Sequence, residues 1–164
     1  MRSRRVLGAA FLLGLVIAIG VCVGGNRLLG AKSLPTASAT LHWATVDLPR
    51  GSYCWNTGGH GECADSASAD QLVVSGYLKP YKTAGGFDVN IVFHSASQPN
   101  SFHVQLIQSP HGSISTINES RFHSFMIGVS PPAKAGLYVY VVTGMWSEGD
   151  VSFYLPLQLI PGVA

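Results

Sequence analysis

Apolar and polar positions alternate along much of the chain. Phe87, Val89, Ile91 and Phe93 are interleaved with Asp88, Asn90, Val92 and His94, the period of a strand with one buried face. Phe102, Val104 and Leu106 repeat the pattern and run into a turn at Ser109-Pro-His-Gly112. Ser124 to Val129 is a further apolar run, stopped by Pro131-Pro132. Leu137 to Thr143 and Val151 to Ile160 are the strongest strand candidates, joined by a hairpin connection at Ser147-Glu-Gly-Asp150. Upstream, Leu41, Trp43 and Val46 suggest a first strand ended by Pro49, and Ser66 to Asp70 reads as a turn or cap opening one helical turn through Val74. Six or seven short strands between Pro/Gly turns, with no convincing soluble helix, predict an all-β antiparallel sandwich.

One block breaks this pattern. Val6 to Gly25 is twenty residues without a charge, and a helix of that length spans ~30 Å, one hydrocarbon core. Arg2, Arg4 and Arg5 precede it, which favours a cytoplasmic N-terminus and an exported remainder. The expected layout is a basic lead (1–5), a single transmembrane signal anchor (6–25), a linker (26–39) and an extracytoplasmic domain (40–164) at the cell membrane. Cleavage is the lesser alternative, because the small-x-small site Ala37-Ser-Ala39 lies far beyond the apolar block. Lipidation at Cys22 is weaker still, since Val21 stands where a lipobox wants a small residue.

Charge divides along the same line. The five Lys/Arg before residue 33 have no acid among them, whereas from residue 33 onward five Lys/Arg face all eight Asp/Glu, a net charge of −3. The exported part is therefore expected to be acidic, and a basic nucleic-acid surface is not supported.

Cys54 and Cys63 flank a turn-forming run from Asn56 to Gly61 that holds three glycines. Two short strands joined this way can face each other, bringing the sulfurs within disulfide reach. The loop so closed is about ten residues, worth roughly 2.5–3 kcal/mol of chain entropy. Eight residues separate the cysteines in a Gly-rich hairpin, unlike the close spacing of reactive pairs, so a structural clasp is expected rather than a redox centre.

Lys134-Ala-Gly-Leu-Tyr138-Val-Tyr140 resembles the Gly-x-Tyr-x-Cys segment that enters strand F of immunoglobulin-like domains. The resemblance implies an immunoglobulin-like sandwich with Tyr138 as its tyrosine-corner residue. Tyr140 stands where the second inter-sheet cysteine of antibody domains would be, so the similarity is to the architecture and not to that family's function. Gly51-Ser-Tyr-Cys-Trp55, Cys63-Ala-Asp65, Lys79-Pro80, Tyr138-Val-Tyr140, Trp146-Ser-Glu-Gly-Asp150 and Phe153-Tyr154 also resemble small membrane-anchored or lipoprotein-type extracytoplasmic proteins of Bacillus-like bacteria. That resemblance implies an envelope location and a β-rich fold, and no reaction.

Six histidines, His42, His60, His94, His103, His111 and His123, invite a metal reading, but no His-x-His, Cys-x-x-Cys or His-Glu-x-x-His occurs. His94 and His103 end and begin successive strands, which could bring them close. No Gly-x-Ser-x-Gly elbow or Ser-x-x-Lys arrangement marks a nucleophile. Trp55 and Trp146 sit beside predicted turns. One reading has them covering the ends of the core. The other groups Tyr53, Trp55, His60 and Trp146 as an aromatic binding surface for an envelope protein, a peptide or a glycan. The expectation is a binding or structural module at the cell envelope, not an enzyme and without cofactor or metal. The alternative is an envelope metal-binding or thiol-redox accessory protein.

Overall fold

Strands that carry apolar residues on one face need a second apolar surface to close against, and this chain supplies it with a second sheet. The computed structural model describes residues 33–42, 44–84, 87–110, 114–116, 121–123 (backbone only) and 125–161. The expected anchor, 6–25, lies outside the described residues, as do Trp43 and His111. Among the described residues no helix is long and apolar enough to cross a membrane.

In chain order the elements begin with β1 (Thr36–Leu41), β2 (Ala44–Asp47), β3 (Arg50–Asn56), β4 (Gly61–Ala64), α1 (Ala69–Val74) and β5 (Tyr81–Ala84). They continue with β6 (Val89–His94), β7 (Ser101–Ser109), β8 (Ile114–Thr116), β9 (Arg121–His123), β10 (Met126–Val129), β11 (Gly136–Trp146) and β12 (Gly149–Ile160). One sheet has the order β2-β1-β6-β10-β9, the other β4-β3-β12-β11-β7-β8. Strand β5 joins the second sheet by pairing in parallel with the end of β12. The spine of the molecule is the β11–β12 hairpin, paired without interruption from Gly136↔Leu159 to Trp146↔Gly149.

The predicted alternation holds. Val89, Ile91 and Phe93 of β6, with Ala37 and Ala39 of β1 and Ile127 and Val129 of β10, are buried against the other sheet. From that sheet come Val104, Tyr138, Tyr140, Val142, and Val151, Phe153, Leu155, Leu157 and Leu159. Burial of each large side chain contributes about 1.5–3 kcal/mol, so this shared interior holds the sheets together. A smaller apolar cluster lies on the outer face of the second sheet, where Ala69, Val73 and Leu78 of the α1 region cover Val139 and Tyr154. The cap expected near Ser66–Asp70 is a capping box: Ser68 Oγ accepts from Gln71 N at 3.3 Å, and Gln71 Oε1 accepts from Ser68 N at 3.1 Å.

Two expectations change. Strand pairing starts at Thr36, inside the stretch expected as linker, because Ala37 and Ala39 are small enough for the facing sheet to close over them at 2 and 0 % exposure. His94 and His103 do not meet across a strand pair, since β6 and β7 belong to different sheets.

Two local features follow from backbone chemistry. Pro156, which cannot donate to a ladder, falls on β12 between the residues paired with β3 and those paired with β5. The two-residue β1–β2 turn places His42 at φ 52°, a left-handed conformation that costs an L-residue about 1–2 kcal/mol. Histidine tolerates it better than most non-glycine residues.

Candidate functional site

The clasp forms as expected. Cys54 and Cys63 face each other across β3 and β4, 4.1 Å apart at Cα, and are disulfide-bonded. Both are exposed, and β4 gives no residue to either apolar cluster. The strand is held to β3 by its ladder, by the bridge, and by Tyr53, whose hydroxyl donates to Glu62 Oε1 at 2.6 Å. That carboxylate, holding the phenolic proton, pushes the Tyr53 pKa up. The Arg50 guanidinium lies 5.8 Å from the Tyr53 ring centroid.

The proposed aromatic surface does not assemble. Trp55 and Trp146 are 4 and 5 % exposed and pack edge-to-face with centroids 5.6 Å apart. Phe93 of the opposite sheet meets Trp146 at 5.5 Å, and the indole Nε1 donates to Ser97 O at 2.9 Å. The cause is strand parity: Trp146 falls on the same side of β11 as Tyr138, Tyr140 and Val142. Gly144 makes room for it, since a Cβ there would stand 2.4 Å from the indole ring. Of the four residues only His60 is exposed, while Tyr53 is half-buried and packs against the main core. The pair of tryptophans closes one end of the core.

Three connections converge at that end. Asn56 N donates to Glu148 O at 2.8 Å, tying the clasp tip (57–60) to the β11–β12 turn. Asn100 N donates to Met145 O at 2.6 Å, drawing in the β6–β7 connection (95–100). The exposed residues are mostly polar or glycine, with His60 and Gln98 among them, and Met145 is the exposed large apolar side chain beside them. Glu62, Glu148 and Asp150 give the end an acidic character, and no Lys or Arg occurs in 51–78 or 135–161. Such loops offer adaptable hydrogen bonding on a rigid frame.

The hydroxyl that bonds back to upstream backbone is that of Tyr140, not Tyr138. It donates to Ser130 O at 2.9 Å, and burial pushes the Tyr140 pKa well up. Tyr138 packs in the same interior without a hydrogen bond among the described residues.

Among the described residues no group of three His, Cys, Asp or Glu could hold a metal ion. One serine–histidine contact was not legible in the sequence: Ser38 Oγ and His94 Nε2 are 2.8 Å apart, brought together from 56 positions away by the β1–β6 ladder. Nucleophilic catalysis also needs a group orienting the imidazole and donors for an oxyanion. The nearest carboxylate in register, Asp47, stands across from Ser38 rather than behind His94. The contact reads as a sheet-face hydrogen bond.

A cleft of about 440 Å³ opens at the opposite end, lined by Leu41, His42 and Val46 from the β1–β2 hairpin and by Tyr81, Lys82 and Ile160 from the other sheet. It lies between two edge strands, β2 and β5.

Fold and site together define an all-β sandwich domain with a disulfide-pinned edge hairpin. Comparison with known proteins finds no matching family model, no similar curated protein and no similar solved structure.

Proposed function

We propose that this chain is a membrane-anchored extracytoplasmic module with an immunoglobulin-like sandwich, serving to bind or space partners at the cell envelope rather than to catalyse a reaction. The observation that carries the location is the Cys54–Cys63 bridge. Both cysteines are exposed to any reductant present, and such bonds persist outside the reducing cytoplasm. The basic lead and apolar block of residues 1–25 point the same way, and the resemblance to Bacillus-like envelope proteins adds the bacterial setting.

Strand order supports the immunoglobulin-like reading. The run β1-β6-β10-β9 follows the order A-B-E-D, and β7-β11-β12 follows C-F-G. The segment from β2 to β5 is then an insertion after strand A. It carries the clasp to the end where the B–C and F–G connections lie, the end that variable domains use for recognition. The Tyr140–Ser130 bond fits a tyrosine corner displaced by two residues. The reading assigns binding to that acidic, polar loop end, with Tyr53 and His60 in place of the buried tryptophans. A second reading, thiol exchange at the clasp, is favoured only by the exposure of both cysteines.

Protease treatment of intact cells and of inverted vesicles tests the location. Residues 36–160 should be digested only from outside the cell, with the bridge intact when free thiols are blocked before lysis. Digestion from the cytoplasmic side, or free thiols at Cys54 and Cys63 in cells, overturns the reading.

A further inference from the structure

We infer that the cleft between β2 and β5 is a binding site for a small amphiphilic anion, an aliphatic or aromatic body carrying one carboxylate. Its size, about 440 Å³, lies within the range of small-ligand sites, which are mostly apolar with a few polar groups fixing orientation. The cleft exists because neither sheet closes on this side. Strand β2 ends one sheet, and β5 is a four-residue strand that, among the described residues, pairs with β12 alone. Leu41, Val46 and Tyr81 pack against the main core and extend it outward to the opening, where Ile160 is 47 % exposed.

The charge at this cleft is one-sided. Among its described lining residues Lys82 is the only full charge, and no Asp or Glu lines it. Lys82 is exposed and makes no ion pair or hydrogen bond among the described residues. An apolar hollow with a single ammonium at its rim favours an apolar ligand with a single anionic group over a cation, which meets repulsion. His42 lines the rim, its ring packed at a tilt against Phe87 with centroids 4.1 Å apart, and its positive φ is that of the tight β1–β2 turn. An extended peptide is the weaker occupant, since edges of four residues offer few ladder bonds. The inference does not depend on membrane anchoring or on the loop end.

The test is photolabelling of the full chain in phosphatidylcholine vesicles with a dodecanoate bearing a diazirine in its alkyl chain, followed by peptide mapping. Adducts are expected on Leu41, His42, Ala44, Val46, residues 81–84 or Ile160, suppressed by excess dodecanoate but not by dodecanol. Lys82→Gln should lower this labelling about threefold, the weight of one exposed ion pair. Val46→Trp, which fills the cleft, should abolish it. Adducts only elsewhere in the chain, equal protection by dodecanol, or full labelling of Lys82→Gln overturns the proposal. If Val46→Trp loses the strand signal in circular dichroism, the competition and Lys82→Gln results decide alone. Protection by a strand-forming peptide but not by dodecanoate also overturns it, assigning the cleft to strand addition.

Discussion

Replacing Tyr140 with phenylalanine removes one oxygen from the interior and should separate two roles that neighbouring tyrosines could play. The Tyr140 hydroxyl donates to Ser130 O at 2.9 Å, and its side chain is fully buried. A buried neutral hydrogen bond contributes about 0.5–1.5 kcal/mol, and an acceptor left dry costs more. Ser130 is exposed, so water can reach its carbonyl, and a loss of about 1 kcal/mol is expected. In a domain of this size that lowers Tm by about 3–5 °C. Tyr138→Phe breaks no hydrogen bond among the described residues and should cost less than about 0.5 kcal/mol.

Alkaline titration gives the same comparison a second readout. Burial raises the Tyr140 pKa, with Tyr138 a lesser cause. In the unfolded chain the group ionises near its usual value of about 10, so stability is unaffected below that pH. Above it the unfolded chain has released a proton that the folded chain retains. Stability then falls by up to about 1.4 kcal/mol per pH unit until the folded group also ionises. Tyr140→Phe should therefore be less stable than wild type at neutral pH yet lose less stability between pH 10 and 11. Thermal melts of wild type and both variants across that range decide it. Parallel alkaline curves, or a Tyr138→Phe loss equal to that of Tyr140→Phe, would refute the assignment.

Gly149→Ala should be strongly damaging. Gly149 has φ 149°, and a Cβ there would stand 1.9 Å from Cys54 O, so strain and forced backbone movement together should cost about 3–5 kcal/mol in urea unfolding. Cys54→Ser with Cys63→Ser should cost less than the roughly 2.5–3 kcal/mol of the loop-entropy argument, because β4 is exposed and its fraying in the native state recovers part of that entropy. Amide exchange should show lost protection at 61–64 with the β11–β12 ladder unchanged. Ser68→Ala should lower stability by about 1 kcal/mol through loss of the N-cap, seen as faster exchange at Gln71.

The long alternating strands and the clasp were legible because each depends on neighbours in sequence. Val89, Ile91 and Phe93 declare a face by period alone, and Cys54 and Cys63 need only a hairpin between them. Strand β1 was partly hidden: Thr36 to Thr40 has the composition of a linker, and its alanines are buried only because another sheet lies over them. Of the two readings of the tryptophans, the one that has them cover an end of the core holds, and the parity of Trp146 with Tyr140 and Val142 already pointed it inward. A motif spacing could not choose between Tyr138 and Tyr140, which share a face of β11. The cleft and the Ser38–His94 contact are products of tertiary closure and leave no local trace.

The insertion between β1 and β6 has a mechanical consequence. Strand β1 pairs with β6 through five residue pairs, Thr36↔His94 to Thr40↔Asn90, and is severed from it in sequence by nearly the whole insertion. A ladder that closes so wide a gap bears a larger ordering cost than the β11–β12 hairpin and is expected to zip late. Tension on the N-terminal side of the domain would enter at Thr36 and peel that short, late ladder first. The interior under Ala37 and Ala39 would open with it, while the β11–β12 hairpin behind would hold, leaving the molecule with a yielding front strand and a firmer spine.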